Sequence, residues 1–165
     1  MPILDDRTFE FYSHSPEQTR RIGIRLGGLI KAGDVICLEG NLGSGKTTFV
    51  QGLTQGWGSL DPVTSPSYVI VNQYRHPDEG ILFHTDAYRL ESLRDVEMLD
   101  LDLMLRNGVL VIEWADKIKE ILPEENLWIK MKWISAEQRY MHISGNGSRH
   151  ETLLNQIKQS IFGGV

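Results

Sequence analysis

The stretch "EGNLGSGKTTF", residues 39 to 49, decides the fold of this chain. Gly40, Gly45, Lys46 and Thr47 match the G-x-x-x-x-G-K-[ST] pattern of a phosphate-binding loop. Glycines allow backbone dihedrals and close approaches that a Cβ would block, so successive N–H groups can converge on phosphate oxygens. The lysine can reach the β- and γ-phosphates, and the threonine hydroxyl can bind Mg²⁺. The pattern therefore predicts a site for a magnesium nucleoside triphosphate.

The residues around this loop predict a strand before it and a helix after it. "DVICLEG" is a short apolar run typical of a buried strand. After the loop, "TTFVQGLTQGWG" places Phe49, Val50, Leu53 and Trp57 on one helical face, and the glycines from Gly56 onward end the helix. A helix that begins at the loop adds its free amides and the positive end of its dipole to the phosphate site.

An amphipathic helix with clear end signals is predicted further upstream. Ser15 is the N-cap, Pro16 is the first helical residue, and Gln18 completes a capping box. Gly33 is the predicted stop. Apolar residues at helical spacing between these ends indicate that one face of the helix is buried.

The rest of the chain alternates strand and helix patterns. Strands are predicted in the segments "TFEFY", "SYVIVNQYR", "GILFHTD", "GVLVIEW", "NLWIKMKWIS" and "RYMHISG", and helices in "SLRDVEMLDLDLML", "ADKIKEIL" and "SRHETLLNQIKQSIF". The second and third of these strands are expected to pair antiparallel through the turn "HPDEG", and the last two to form a hairpin. We predict an α/β fold: a small single-domain P-loop NTPase with a mostly parallel central sheet, antiparallel hairpins and flanking helices.

Length and composition fit an ordinary globular protein. The chain has 165 residues, of which 41% are hydrophobic and 24% are charged, so we expect one domain over residues 1–165. No secretory signal or membrane span is recognisable, which predicts a cytoplasmic protein without a membrane partner. The single cysteine, Cys37, is expected to be a buried thiol. The net charge of −5 opposes direct binding to a nucleic-acid backbone.

Two carboxylates are candidates for the magnesium site. Glu113 closes "GVLVIE" and Asp86 closes "ILFHTD", and ligands of open α/β sheets gather at the carboxyl ends of strands. Thr64, in "VTSPSY", could sense the γ-phosphate or belong to an ordinary turn. His84 is expected to be a packed histidine rather than a base, and Arg89 a salt-bridge partner rather than a finger on the phosphate.

Several functions remain compatible with the loop alone. A small kinase is one, although only Arg89 and Arg94 are available as lid arginines. A nucleotide-gated binding module with negligible hydrolysis of its own is another. A GTPase is disfavoured, because the N-K-x-D guanine motif is missing from the sequence, and no spacing typical of zinc sites or serine hydrolases occurs.

The four motifs "GNLGSGKTTFVQGL", "VTSPSYVIVNQY", "FHTDAYRL" and "LVIEWADK", in this order, resemble the TsaE or YjeE family. This family comprises the small ATPases of bacterial tRNA threonylcarbamoyladenosine (t6A) biosynthesis. The resemblance runs through most of residues 15 to 145. It implies ATP and Mg²⁺ as cofactors, and hydrolysis that supports repeated modification of adenosine 37 in tRNAs reading codons that begin with A. The implied partners are the threonylcarbamoyl-transferase subunits TsaD and TsaB, with tRNA bound mainly through their complex.

The resemblance also implies roles for individual residues. Thr47 and Glu113 would bind Mg²⁺, Thr64 would belong to a first switch segment, and Asp86 would orient the attacking water or complete the metal shell. Together with Lys46, Thr64 and Asp86 are the predicted catalytic residues. The predicted nucleotide-binding residues are Ser15, Asn41, Leu42, Gly43, Ser44, Gly45, Lys46, Thr47 and Thr48. Asn41, Ser67 and Ala87 depart from the residues common in the family, but none of them removes a phosphate or metal ligand.

Overall fold

The fold is built on one seven-stranded sheet, seen in a computed structural model that describes residues 7–63, 71–90, 92–97 and 99–162. The strands are β1 (Thr8–Ser13), β2 (Val35–Glu39), β3 (Val71–Arg75), β4 (Ile81–Asp86), β5 (Gly108–Glu113), β6 (Asn126–Trp133) and β7 (Arg139–Asn146). The α-helices are α1 (Pro16–Gly27), α2 (Lys46–Trp57), α3 (Leu93–Glu97), α4 (Leu101–Asn107) and α5 (Ser148–Phe162). Ala87–Arg89 and Ala115–Ile121 form 3₁₀ turns.

The strand order is β1-β7-β6-β2-β5-β4-β3. The four central strands, β6, β2, β5 and β4, are parallel, and antiparallel pairs extend the sheet on both sides. This confirms the predicted α/β fold with a mostly parallel centre and antiparallel hairpins. One pairing was not foreseen: the last hairpin enters the sheet next to β2 through β6, so it is part of the sheet's centre rather than a peripheral addition.

Alternate residues of the buried strands serve two cores. On β2, Ile36 and Leu38 pack on one side against α1, α2 and α5, while Cys37 packs on the other side with residues of β5 and the 3₁₀ turn 115–121. Both faces of the parallel centre are therefore apolar, as sequence runs of this kind predict. Cys37 is buried, as predicted, and burial raises the pKa of its thiol to about 12.

Helix α1 begins as predicted and ends earlier than predicted. The Ser15 side chain accepts a hydrogen bond from the Gln18 amide at 3.1 Å, and Gln18 in turn accepts from the amide of His14 rather than from that of Ser15. The predicted stop at Gly33 is wrong, because the helix ends at Gly27 and is capped by Gly28. The later Gly33 instead takes a left-handed conformation (φ 94°) in the turn that leads to β2.

Helices α1 and α2 are in direct backbone contact through glycines. A Cβ on Gly27 would lie 2.1 Å from the Leu53 carbonyl oxygen, and one on Gly56 would lie 2.0 Å from the Ile24 carbonyl oxygen. Gly23 and Gly52 face the opposite helix in the same way. Both helices thus carry a G-x-x-x-G spacing on their shared face, which allows a closer approach than any larger side chain would.

No helix among the described residues has the length and apolar character that crossing a membrane requires.

Candidate functional site

The glycine loop joins the end of β2 to the start of α2, as the sequence predicts. Gly43 (φ 80°) and Gly45 (φ 100°) both have left-handed backbones, which an L side chain would strain. Gly45 caps α2 without any side-chain hydrogen bond to the first turn. The first amides of α2 therefore remain available to an anion.

Lys46 is buried at the centre of the loop. Its ammonium group donates to the carbonyl oxygen of Gly40 and lies 3.9 Å from the centroid of the Trp114 ring. Burial lowers the pKa of Lys46, and the nearby carboxylates of Glu113 and Asp86 oppose this shift. Because the charge is largely removed from water, it would interact strongly with a phosphate that entered the loop.

The two predicted carboxylates meet beside this lysine. Asp86 and Glu113 are paired across the parallel strands β4 and β5, and Glu113 is paired with Leu38 on β2, directly before the loop. The sheet register therefore brings both acids to the carboxyl edge from which the loop emerges. No cluster of three histidine, cysteine or acidic side chains suited to a metal occurs among the described residues. Oxygen donors from Thr47 and one or two carboxylates suit Mg²⁺, which keeps waters and phosphate oxygens as its other ligands.

Asp86 is held at the end of its strand by local contacts. Its Oδ1 accepts from the Tyr88 amide at 2.9 Å, and its Oδ2 lies 3.9 Å from Nε of Arg89. Burial raises the pKa of Asp86, against the lowering effect of the Tyr88 amide. The contact with Arg89 confirms the predicted ion-pair role of that arginine.

Trp114 adopts an unusual backbone next to Glu113. It has a φ of 58°, which is uncommon for a bulky residue, and its ring packs against Tyr88 at a tilt of 45°, with centroids 4.9 Å apart. This conformation turns the chain sharply after β5 and puts the indole under Lys46. Such strain is typical of functional sites, because the surrounding structure has to maintain it.

A cleft opens beside the loop, on the side where the two glycine-packed helices begin. Its lining consists of Pro16, Thr19, Gly45, Thr48, Glu137 and Arg139. Two buried polar atoms near the loop, Ser44 Oγ and Arg139 Nε, have no hydrogen-bond partner among the described residues. Buried polar atoms without partners fit a site that a polar ligand completes.

The structure places most of the predicted site residues together. Those in the loop, from Asn41 to Thr48, surround Lys46, although the Leu42 side chain is 89% exposed, so that only its backbone could face a phosphate. Thr64 and Ser67 lie outside the described residues. Ser15 caps α1, while its neighbours Pro16 and Thr19 line the cleft.

Sequence reasoning missed three contributors to this site. Glu137 and Arg139 reach the cleft from the distant β6–β7 hairpin, and no local pattern marked them. His84 was expected to be a packed histidine, and it is buried; however, it also lies 2.6 Å from Glu113, between Nε2 and Oε2. The signal was its position two residues before Asp86, which puts both side chains on the same face of β4.

A strand, glycine loop and helix at the carboxyl edge of a parallel sheet define a P-loop α/β protein. The family model for "Threonylcarbamoyl adenosine biosynthesis protein TsaE" matches residues 13–141, and the chain belongs to this family, which takes part in t6A biosynthesis on tRNA.

Relatives and a solved structure agree with this assignment. The tRNA threonylcarbamoyladenosine biosynthesis protein TsaE of Bacillus subtilis is 37% identical over 148 residues, covering 88% of this chain and 90% of the relative. The protein of the same name from Streptomyces coelicolor is 40% identical, covering 81% and 94%. The crystal structure of Bacillus subtilis YdiB superposes with a TM-score of 0.77 at 33% identity, covering 94% of this chain and 97% of that one. The predicted family is therefore confirmed.

Proposed function

We propose that this chain is a Mg²⁺-dependent ATPase that supports multiple-turnover N6-threonylcarbamoylation of adenosine 37 in tRNAs reading codons that begin with A. It would act in the cytoplasm with the transferase subunits TsaD and TsaB and meet tRNA mainly through their complex. The observation that carries the proposal is the convergence of Lys46, Glu113 and Asp86 at one edge of the sheet. A chain that only needed a glycine turn would have no use for a buried and a half-buried acid beside a buried lysine.

The residues of the loop fit a triphosphate. The left-handed glycines and the uncapped start of α2 present backbone amides, and Lys46 supplies a desolvated positive charge. The cleft beside Gly45 and Thr48 would take the nucleoside end. There the guanidinium of Arg139 has an unsatisfied Nε that could bond a polar edge of the base or ribose.

The acids have different environments, and we assign them different roles. Thr47 and Glu113 would hold Mg²⁺, which when bound neutralises charge on the phosphates. Asp86 would orient the attacking water, because burial raises its pKa and makes it a better proton acceptor than an exposed aspartate. Thr64 would contact the γ-phosphate from the segment between α2 and β3.

Reconstituted tRNA modification tests this proposal. Wild type, Lys46→Ala and Glu113→Ala would be mixed with TsaD, TsaB, tRNA and the threonylcarbamoyl donor under multiple-turnover conditions. Exposed residues away from the site provide matched controls, Lys31→Ala and Glu124→Ala. We expect the two site variants to lose phosphate release and repeated modification, by roughly 100-fold or more given the usual value of one preorganised charge, while the controls keep both.

Circular dichroism and thermal melting would confirm that each variant is folded. Equal modification by wild type and both site variants would refute the proposal. Phosphate release that required a hydroxyl acceptor would favour a kinase instead. If Asp86→Ala kept Mg·ATP binding, partner association and turnover, the chain would be a nucleotide-gated binding module rather than an ATPase.

A further inference from the structure

Three buried polar side chains form a continuous chain of hydrogen bonds across neighbouring strands. The hydroxyl of Tyr74 on β3 lies 3.1 Å from Nδ1 of His84 on β4, and Nε2 of His84 lies 2.6 Å from Oε2 of Glu113 on β5. Tyr74 and His84 are each 2% exposed and Glu113 is 8% exposed. This series of hydrogen bonds therefore connects the edge strand of the sheet to Glu113, the carboxylate that we assign to Mg²⁺.

The chemistry of the carboxylate fixes the direction of the bond between His84 and Glu113. An ionised carboxylate only accepts hydrogen bonds, so the N–H group at Nε2 of His84 donates a hydrogen bond to Glu113. The Tyr74 hydroxyl, which can donate or accept, forms the hydrogen bond to the other ring nitrogen, Nδ1. Both ring nitrogens of His84 therefore have a buried hydrogen-bond partner, and these two bonds fix the orientation of the ring.

The geometry of the sheet explains why His84 reaches this particular acid. His84 is paired with Val111 across β4 and β5, whereas Asp86 is paired with Glu113. Consequently His84 lies two residues before the position opposite Glu113 on the neighbouring strand and bonds one of its two oxygens. Because both groups stand on buried parallel strands, the carboxylate is oriented before any ligand arrives.

We propose that His84, whose ring is held by Tyr74, is a positioning residue that orients the Glu113 carboxylate for binding a magnesium ion. The inference rests on the proposed function, because it assumes that Glu113 is a metal ligand. It goes further by giving a role to a histidine that would otherwise only fill the core. Groups that hold a metal ligand through a hydrogen bond commonly change metal affinity by about 10- to 100-fold when they are removed.

The test measures magnesium affinity separately from nucleotide affinity. Binding of a fluorescent ADP analogue would be titrated in EDTA and then at increasing MgCl₂, comparing wild type with His84→Leu and His84→Gln. The glutamine amide can still donate to Glu113, so it serves as the rescue variant. His150→Leu is the matched control: His150 is 3% exposed and its Nε2 accepts from the Val35 amide at the start of β2, the opposite end of the sheet from Glu113.

For His84→Leu we expect magnesium affinity about 10-fold weaker than in wild type, with nucleotide affinity in EDTA unchanged. His84→Gln should recover most of the loss, and His150→Leu should match wild type. Equal losses in His84→Leu and His150→Leu would mean that any damaged buried histidine disturbs the site, and would overturn the proposal. Wild-type magnesium affinity in His84→Leu would overturn it as well.

Tyr74→Phe keeps the ring and volume of the side chain and removes only the hydroxyl, so it provides the test if His84→Leu does not fold. We expect magnesium affinity about threefold weaker than in wild type, which corresponds to the loss of one modest hydrogen bond. An unchanged affinity would contradict the role of Tyr74 in holding His84. If wild-type nucleotide binding did not respond to Mg²⁺ at all, the proposed function itself would fail. A normal wild-type response that is insensitive to His84 and Tyr74 would refute only this inference.

Discussion

Replacing Gly27 by alanine should destabilise the protein, although alanine is the better helix former. Gly27 is buried in the last turn of α1, and its Cβ would lie 2.1 Å from the Leu53 carbonyl oxygen and 2.7 Å from the Trp57 backbone nitrogen. Ordinary contact with a Cβ begins at 3.4 Å, so α2 would have to retreat by about 1.3 Å at this point. Both obstacles are backbone atoms, and no side-chain rotation can relieve the overlap.

The magnitude follows from two opposing effects. Alanine gains about 1 kcal/mol over glycine in a helix. Overpacking a close-packed interface costs about 3 kcal/mol when the neighbour cannot move aside, and a gap opened elsewhere loses dispersion contacts. We therefore expect a net loss of about 2 kcal/mol in the free energy of unfolding for Gly27→Ala.

The adjacent glycine provides a matched control. Gly28 is exposed, has a right-handed backbone (φ −70°), and a Cβ there would come no closer than 3.6 Å to a neighbour. Gly28→Ala should leave stability unchanged or raise it by up to about 1 kcal/mol. Urea denaturation followed by far-UV circular dichroism would measure both variants. If Gly27→Ala were as stable as Gly28→Ala, the explanation of the interface would be wrong.

Substitutions at two further positions test the helix cap and the half-buried acid Asp86. Ser15→Ala should lower the free energy of unfolding by about 1 kcal/mol, because the Gln18 amide loses its acceptor, and Ser15→Asp should restore most of it in the same urea titration. Asp86→Asn should abolish phosphate release yet raise the melting temperature at pH 7. A carboxyl whose pKa is raised by folding stabilises the native state only while it is protonated, and this contribution is lost as pH rises above the usual aspartate pKa. The gain in melting temperature should disappear below about pH 3, where the aspartate is protonated in both the folded and the unfolded state. An equal gain at pH 7 and at pH 3 would contradict the upward direction of the Asp86 pKa shift.

Local signals in the sequence were sufficient for most elements and for the phosphate loop. Ser15 and Pro16 marked the start of α1, and the order of strand, glycine loop and helix located Lys46, because each of these depends on neighbours along the chain. The end of α1 was misplaced because a glycine with a left-handed backbone can shape a turn as well as a helix end. Gly33 does so six residues after the helix has stopped.

Features that depend on distant pairing could not be predicted from these signals. Arg139 reaches the cleft only because β6 pairs with β2, and a hairpin pattern does not say which strand its outer edge will meet. The bond from His84 to Glu113 likewise depends on the register of β4 against β5. The two G-x-x-x-G spacings were visible in the sequence, but only the crossing of α1 and α2 shows that these glycines face each other.

The glycine interface and the cleft beside the glycine loop are parts of one structural arrangement. Gly23 lies against Phe49 and Gly52, and Gly27 lies against Leu53 and Trp57, so the residue numbers rise together along both helices. The helices therefore run parallel, with their N-termini side by side at the cleft. The first turn of α1 and the start of α2 both line the cleft. Because backbone contacts between the glycines set the distance between the helices, they also fix how far the first turn of α1 lies from the start of α2 at the cleft.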